Sequence, residues 1–357
     1  MKKATAVICL SKVNGGMELA SVKLARLLSN DVKIEFIARK ESFIEKNKTE
    51  HFSDYSVHLN TIDFSKNFSL KLIKQLRKIF IEKEIGNIIF LGASEMKSLY
   101  FATYNLDINF IIRQGSKKTT SKKDIVHQLL YSKVNHYVGN CEYMKKNMLD
   151  ILPLNNKLKI QRIYSSLKIN ENINYKKQND VIDLVHVGRV HPGKGQMHAI
   201  KACEVLYKNN INFDLKFLGD IQDKEYYDKM INYLEDKKYK NNIKFLGYTT
   251  KVKEYLQNSD VFIFPSLGEG MSNAIIEAIG YGLIPVIYND TSSPEFKTMG
   301  FNIHLTQKNT IKNLEDILLH ISFNLTDEKK KSQDNHQKAI DIFSPQREKN
   351  EYLNILI

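Results

Sequence analysis

Long hydrophobic runs are missing from this 357-residue chain. No stretch approaches the roughly 18 to 20 apolar residues that cross a bilayer. The opening Met1-Lys2-Lys3 leads straight into the strand-like run Ala4-Thr5-Ala6-Val7-Ile8-Cys9-Leu10, so a soluble, cytoplasmic protein is expected. Cysteine is scarce as well. Cys9, Cys141 and Cys203 lie far apart, with no CxxC pair and no His at metal spacing. That excludes a disulfide framework and a zinc site and leaves reduced packing residues. The common nucleotide motifs are also absent: there is neither a GxGxxG fingerprint nor a P-loop, which argues against a dinucleotide enzyme or a kinase.

Positive charge is in excess, and it is placed unevenly. The net charge is +13; residues 1–170 hold 29 Lys and Arg against 15 Asp and Glu, or +14, and the remainder balances at −1. Such asymmetry suits nucleic acid or an anionic membrane surface. Nucleic acid is disfavoured, because Lys117-Lys118 and Lys122-Lys123 have no interleaved aromatics and no binding module is present. A solvated Lys-rich surface is the plainer alternative to a membrane. Residues 68–80 read as an amphipathic helix with Phe68, Leu72, Leu76, Ile79 and Phe80 on one face. That helix either docks on the inner membrane or covers a sheet.

Short β-branched runs alternate with longer segments of helical period, the pattern of parallel sheets covered by helices. Strands are expected near 5–10, 33–38, 88–91, 110–113 and 136–139, then near 183–187, 213–218, 243–245, 261–265 and 284–287. The polar stretch Lys168 to Asp180 reads as a linker between two domains. The expected domains are 1–168 and 169–342, with a closing segment 343–357. Two open α/β domains facing each other would share a cleft at the carboxyl ends of their strands, where such folds bind ligands.

Three loops carry candidate chemistry. After the first strand, Gly15-Gly16 precedes the helical run Leu19 to Leu28, where backbone amides could meet a phosphate or sugar; a plain tight turn is an equal reading. After the strand near 183–187, Gly188-Arg189-Val190-His191-Pro192-Gly193-Lys194-Gly195 presents two cations suited to a diphosphate, or is a Gly-rich surface turn. The third loop follows Val261-Phe262-Ile263-Phe264-Pro265. Glu269 sits in the loop, and Ser272 or Asn273 caps a helix through Ile279 that carries Glu277 among Ile275, Ile276, Ala278 and Ile279. Amides at Met271 to Asn273 suit phosphate oxygens, and the carboxylates suit sugar hydroxyls. A solvated carboxylate at Glu277 would be unusual in that apolar setting.

Together these residues resemble the retaining glycosyltransferases of family 4. Phe264-Pro265-Ser266-Leu267-Gly268-Glu269-Gly270 with Glu277 is similar to that family's pair of glutamates separated by seven residues. Gly188-Arg189 with Lys194-Gly195 looks like its diphosphate-binding pair, Phe245-Leu246-Gly247-Tyr248 like its base-lining stretch, and Ser293-Pro294-Glu295 falls where a Gly-rich segment usually precedes a Glu. The resemblance implies an α/β GT-B fold, two Rossmann-like doubly wound domains facing across a cleft, with an N-terminal acceptor domain, a C-terminal donor domain and a final helix crossing back to the first. It implies transfer of a hexose or N-acetylhexosamine from a nucleotide diphosphate sugar, a UDP-sugar by family frequency. The acceptor would be a glycan or lipid-linked glycan of lipopolysaccharide, capsule or other surface polysaccharide.

By the same resemblance, Arg189 and Lys194 hold the diphosphate, Glu269 contacts the donor sugar and Glu277 binds ribose. Gly15, Gly16, Gly188, Tyr248, Gly270, Met271, Ser272 and Asn273 complete the donor site. No metal or other cofactor is expected, since two cations already meet the diphosphate and no Asp-x-Asp lies in a ligand-like loop. Where many members carry a His facing the sugar, this chain reads Ile112-Arg113-Gln114-Gly115-Ser116, so Arg113 and Ser116 are expected on the sugar or acceptor side. A nucleotide-sugar isomerase or hydrolase on the same plan, or a non-catalytic binding protein, are the alternative readings.

Overall fold

The computed structural model describes residues 3–92, 94–173 and 180–356. The chain divides into two compact units, Met1–Ser165 with Pro345–Ile357, and Ser166–Ser344. Of the expected linker, 174–179 lie outside the described residues.

The first unit contains β1 (Ala4–Cys9), β2 (Ile34–Arg39), β3 (Val57–Ile62), β4 (Ile85–Phe90), β5 (Asn109–Gln114), β6 (Val134–Gly139) and β7 (Lys159–Arg162). They form one sheet in the order β3-β2-β1-β4-β5-β6-β7, with every pairing parallel. The second unit contains β8 (Ile182–Val187), β9 (Phe213–Leu218), β10 (Ile243–Phe245), β11 (Val261–Phe264), β12 (Ile284–Tyr288) and β13 (His304–Thr306), in the parallel order β10-β9-β8-β11-β12-β13. In each sheet the chain winds outward from its first strand, returns, and winds out the other way. Both are therefore doubly wound, with a switch point between β1 and β4 and another between β8 and β11.

Side chains alternate across a strand, so one strand feeds two cores. In β1, Ala6 and Ile8 join Leu72, Leu76, Phe80, Leu99 and Leu130 on one face of the sheet. Val7 and Cys9 join Val22, Ala25, Leu28 and Tyr352 on the other. Tyr352 belongs to the last helix, Pro345–Leu353, which packs in the first unit. The segment expected as an amphipathic helix is Leu70–Glu82, and it covers the sheet: Leu72, Leu76 and Phe80 are buried, while Phe68 and Leu70 stay exposed. No disulfide joins the three cysteines, and all are buried; burial pushes the Cys9 thiol up to about 12 and the Cys203 thiol up as well.

Three strands were not expected from the sequence: β3, β7 and β13. Each is a sheet edge. An edge strand is covered less than an inner one, so it lacks the continuous apolar run that marks strands such as β4 or β11. Val57-His58-Leu59-Asn60-Thr61-Ile62 shows the effect, with only Ile62 fully buried.

Candidate active site

The geometry of the second unit starts from its switch point. The loop 188–195 leaves β8, the loop 265–272 leaves β11, and these strands are neighbours, so both loops emerge at adjacent carboxyl ends. They are stitched together. The Leu267 amide donates to the Gly193 carbonyl at 2.9 Å, and the Ser266 hydroxyl lies 3.1 Å from the same oxygen. Gly195 makes this approach possible: its φ is +74°, and a Cβ there would stand 2.0 Å from the Pro265 carbonyl oxygen.

This stitching brings Lys194 onto Glu269. The Lys194 ammonium donates to Glu269 Oε1, which also receives the Ser266 hydroxyl. The ammonium lies 5.6 Å from the centre of the Phe264 ring. Its side chain and that of Glu269 keep 25% and 16% of their exposure, so the pair is half-sunk and still open to a ligand. The backbone of Lys194 is fixed from below by His186, whose Nε2 lies 2.9 Å from the Lys194 carbonyl. The His186 ring is buried against Phe217 and Phe264, and burial lowers its pKa to about 4. At neutral pH this imidazole is uncharged, with Nε2–H as donor.

A third loop, after β12, holds the Glu269 segment from the other side. The Gly268 amide donates to Asp290 Oδ2 at 2.8 Å, Thr291 Oγ1 donates to the Glu269 carbonyl at 2.6 Å, and Ser292 Oγ donates to the Gly270 carbonyl at 2.6 Å. With its backbone carbonyls engaged, the loop keeps the Glu269 carboxylate directed at Lys194.

The following helix is Asn273–Gly280, with Ser272 as the N-cap residue. Ser272 thus takes the expected N-cap position, though its hydroxyl makes no capping bond, and Met271 beside it is buried. Glu277, one turn in, is half-buried; burial raises its pKa, and Lys253 opposes that shift. Arg189 differs from Lys194. It is exposed and makes no ion pair among the described residues, while its carbonyl accepts from Gln196 Nε2 at 2.9 Å. Tyr248, after β10, is 72% exposed, a large ring face left to solvent.

In the first unit, Gly15 caps the helix Gly16–Leu28 in an extended conformation without a side-chain bond. Nothing lies within 4 Å of a Cβ built on Gly16. Ser116 is exposed in the loop after β5. Arg113 is the residue expected on the sugar or acceptor side. It is buried at the end of β5 and its Nη2 donates to Ser165 Oγ at 2.5 Å. Burial pushes the Tyr352 hydroxyl up while neighbouring Arg113 works against it. Lys23 and Glu348 pair beside it at 3.2 Å, so Arg113 lies where the last helix is anchored to the unit.

Of the residues singled out in the sequence, Lys194 and Glu269 are brought together, whereas His186, Asp290, Thr291 and Ser292, which hold their loops, were not singled out. The signal for His186 was a histidine in a strand whose other polar residue is Asp183. For the other three it was only a polar cluster after a strand.

Residues 168–341 match the model of the family described as glycosyl transferases group 1. A Staphylococcus aureus capsular polysaccharide biosynthesis glycosyltransferase, CapH, is 28% identical over 335 residues, covering 88% of this chain and 91% of its own. An Escherichia coli UDP-Gal:α-D-GlcNAc-diphosphoundecaprenol α-1,3-galactosyltransferase is 29% identical over 140 residues, 38% of this chain and 35% of its own. The crystal structure of Anabaena Alr3699/HepE in complex with UDP superposes with a TM-score of 0.84 at 15% identity, covering 99% of both chains. The two doubly wound units are thus those of the GT-B fold, and the chain is a glycosyltransferase whose second unit matches the glycosyl transferases group 1 model.

Proposed function

We propose that the second unit binds a UDP-sugar and that the chain transfers a hexose or N-acetylhexosamine, with retention of configuration and without a metal, to a glycan of capsule, lipopolysaccharide or a related surface polysaccharide. The observation that carries this reading is the half-exposed Lys194–Glu269 pair at the carboxyl ends of two strands flanking a switch point. A departing diphosphate needs preorganised positive charge where its own charge develops. Lys194 supplies it as a fixed point charge, Arg189 as a solvent-exposed fork able to swing onto the same phosphates. The uncapped start of helix Asn273–Gly280 adds amide donors at Met271, Ser272 and Asn273.

Glu269 then has two tasks: it orients Lys194, and it accepts hydrogen bonds from sugar hydroxyls. Glu277, in an environment that penalises its charge, accepts from ribose hydroxyls, which relieve that penalty. Tyr248 offers its exposed ring to the base. The leaving diphosphate is stabilised by two cations, so no metal is required; unchanged turnover in chelator is the corresponding test. The relatives support the donor and acceptor classes by what they are: one is a UDP-galactose transferase acting on a diphosphoundecaprenol-linked sugar, and one is a capsule enzyme. An isomerase or hydrolase would turn over the donor alone.

The acceptor is assigned to the first unit, with exposed Ser116 as a contact and buried Arg113 as a positioning residue. The protein works at the cytoplasmic face of a membrane, drawn there by its basic first unit. Incubation with a panel of UDP- and GDP-sugars, with and without a lipid-linked or soluble glycan acceptor, tests the reading. UDP release that needs acceptor supports it, and release that ignores acceptor refutes it.

A further inference from the structure

Three helices, Leu70–Glu82, Met96–Ala102 and Ile125–Tyr131, lie side by side over one face of the first sheet, with Leu72, Leu76, Leu99 and Leu130 in the core beneath them. The outer face of a helix that only covers a sheet should be polar. Here Ile125 is 83% exposed, Val126 and Leu129 are each 56% exposed, and Leu70, Phe68 and Phe101 are 74%, 52% and 46% exposed. The Phe68 and Phe101 rings lie 6.0 Å apart, so the apolar surface continues from one helix to the next. Single exposed apolar residues are ordinary, but three within five residues of one helix, beside further ones on the helices packed next to it, mark a contact.

The charge around this surface is predominantly positive. Residues 117–133 hold five lysines against Asp124, and 66–83 hold six Lys and Arg against Glu82. Asp124 is itself engaged, its Oδ2 lying 2.5 Å from His127 Nδ1. Between the second and third helices opens a cavity of about 190 Å³ lined by Ser94, Lys97, Lys122 and His127, donors suited to phosphate oxygens. Apolar side chains ringed by lysines match the interface of an anionic bilayer, acyl region and phosphates respectively. A second copy of this chain is the poorer occupant, because a two-fold contact would set lysines against lysines.

We propose that this helical face docks the protein on an anionic lipid bilayer, with Ile125, Val126 and Leu129 entering the interface and Lys117, Lys118, Lys122 and Lys123 meeting headgroup phosphates. This deepens the membrane reading above and places the contact at the outer residues of three helices, since the apolar stripe of Leu70–Glu82 itself is spent on the sheet.

The test is co-sedimentation of the full chain at low salt with vesicles of phosphatidylcholine alone and of equimolar phosphatidylcholine and phosphatidylglycerol. Binding is expected only to the second. Ile125→Ser/Val126→Ser/Leu129→Ser and Lys118→Glu/Lys123→Glu should each weaken partitioning about tenfold or more. Their thermal melts should match wild type, because all five side chains are exposed. A control pair on the second unit, Lys238→Glu/Lys240→Glu, should bind as wild type does. Equal binding to both vesicles, or equal losses in the control pair, would overturn the proposal. So would a wild-type dimer in light scattering that becomes a monomer in the serine variant, which would give the face to a second copy. Vesicle binding needs no turnover: its failure sinks the dock alone, whereas failure of acceptor-dependent UDP release sinks the donor reading.

Discussion

Lys194→Ala should separate turnover from folding. In the folded chain the Lys194–Glu269 pair keeps 25% and 16% of its side-chain exposure, so its net worth to stability, after screening, is about 1 kcal/mol or less. For a unit of this size that is a fall in Tm of about 2–4 °C. Its worth to the reaction is larger. A donor aimed at charge that develops in the transition state is worth about 3–4 kcal/mol, so kcat should fall ~10²–10³-fold. UDP release coupled to a colorimetric readout, measured with saturating donor and acceptor, gives kcat directly, and a thermal melt of the same sample gives the stability. Lys194→Arg should recover part of the loss, because it keeps the charge but changes the donor geometry. A kcat within about threefold of wild type in Lys194→Ala would mean that under 1 kcal/mol of transition-state stabilisation was lost, and the assignment would be refuted.

Gly195→Ala, which sets a Cβ 2.0 Å from the Pro265 carbonyl oxygen at φ +74°, should lower the urea midpoint by an amount equivalent to about 2–3 kcal/mol, whereas Gly16→Ala, with open space around it, should not. An unchanged midpoint for Gly195→Ala would show that the two loops are not locked as described. His186 has a folded pKa of about 4, below its unfolded value, so the unfolded chain binds the extra proton between these values. Its contribution is therefore fully present above about pH 6.5 and is lost as pH falls toward 4, by at most about 3 kcal/mol. His186→Phe should flatten that part of the stability profile in urea titrations at stepped pH, and an unaltered slope would count against the buried neutral imidazole. Burial raises the pKa of Glu277, which means that its charged form costs stability at neutral pH. Glu277→Gln should thus melt higher than wild type while binding UDP about tenfold more weakly in calorimetry, and tighter or equal binding would remove it from the ribose site.

The inner strands were legible because burial on both faces forces runs such as Val261-Phe262-Ile263-Phe264. Edge strands β3, β7 and β13 were not, since water on one side permits His58, Asn60 or Gln161 within them. The two donor-side loops announced themselves by glycine, most clearly Gly195, whose conformation and crowding only glycine satisfies. The groups that hold those loops gave no such signal. Asp290 acts through a backbone amide, and Thr291 and Ser292 through backbone carbonyls, each 22 residues away in sequence, contacts that no local pattern encodes. For Arg113 the sequence shows a strand end; that its side chain is buried against Ser165 depends on the fold. The lysines of 117–123 were visible in the sequence, but that Ile125, Val126 and Leu129 face outward depends on which side of their helix meets the sheet.

The most direct test of the central claim is a crystal of the full chain soaked with UDP. The account predicts the diphosphate within hydrogen-bond distance of Lys194 Nζ and of the amides opening helix Asn273–Gly280, with the ribose hydroxyls on Glu277. A diphosphate bound elsewhere on the chain, with Lys194 still closed on Glu269, would contradict it.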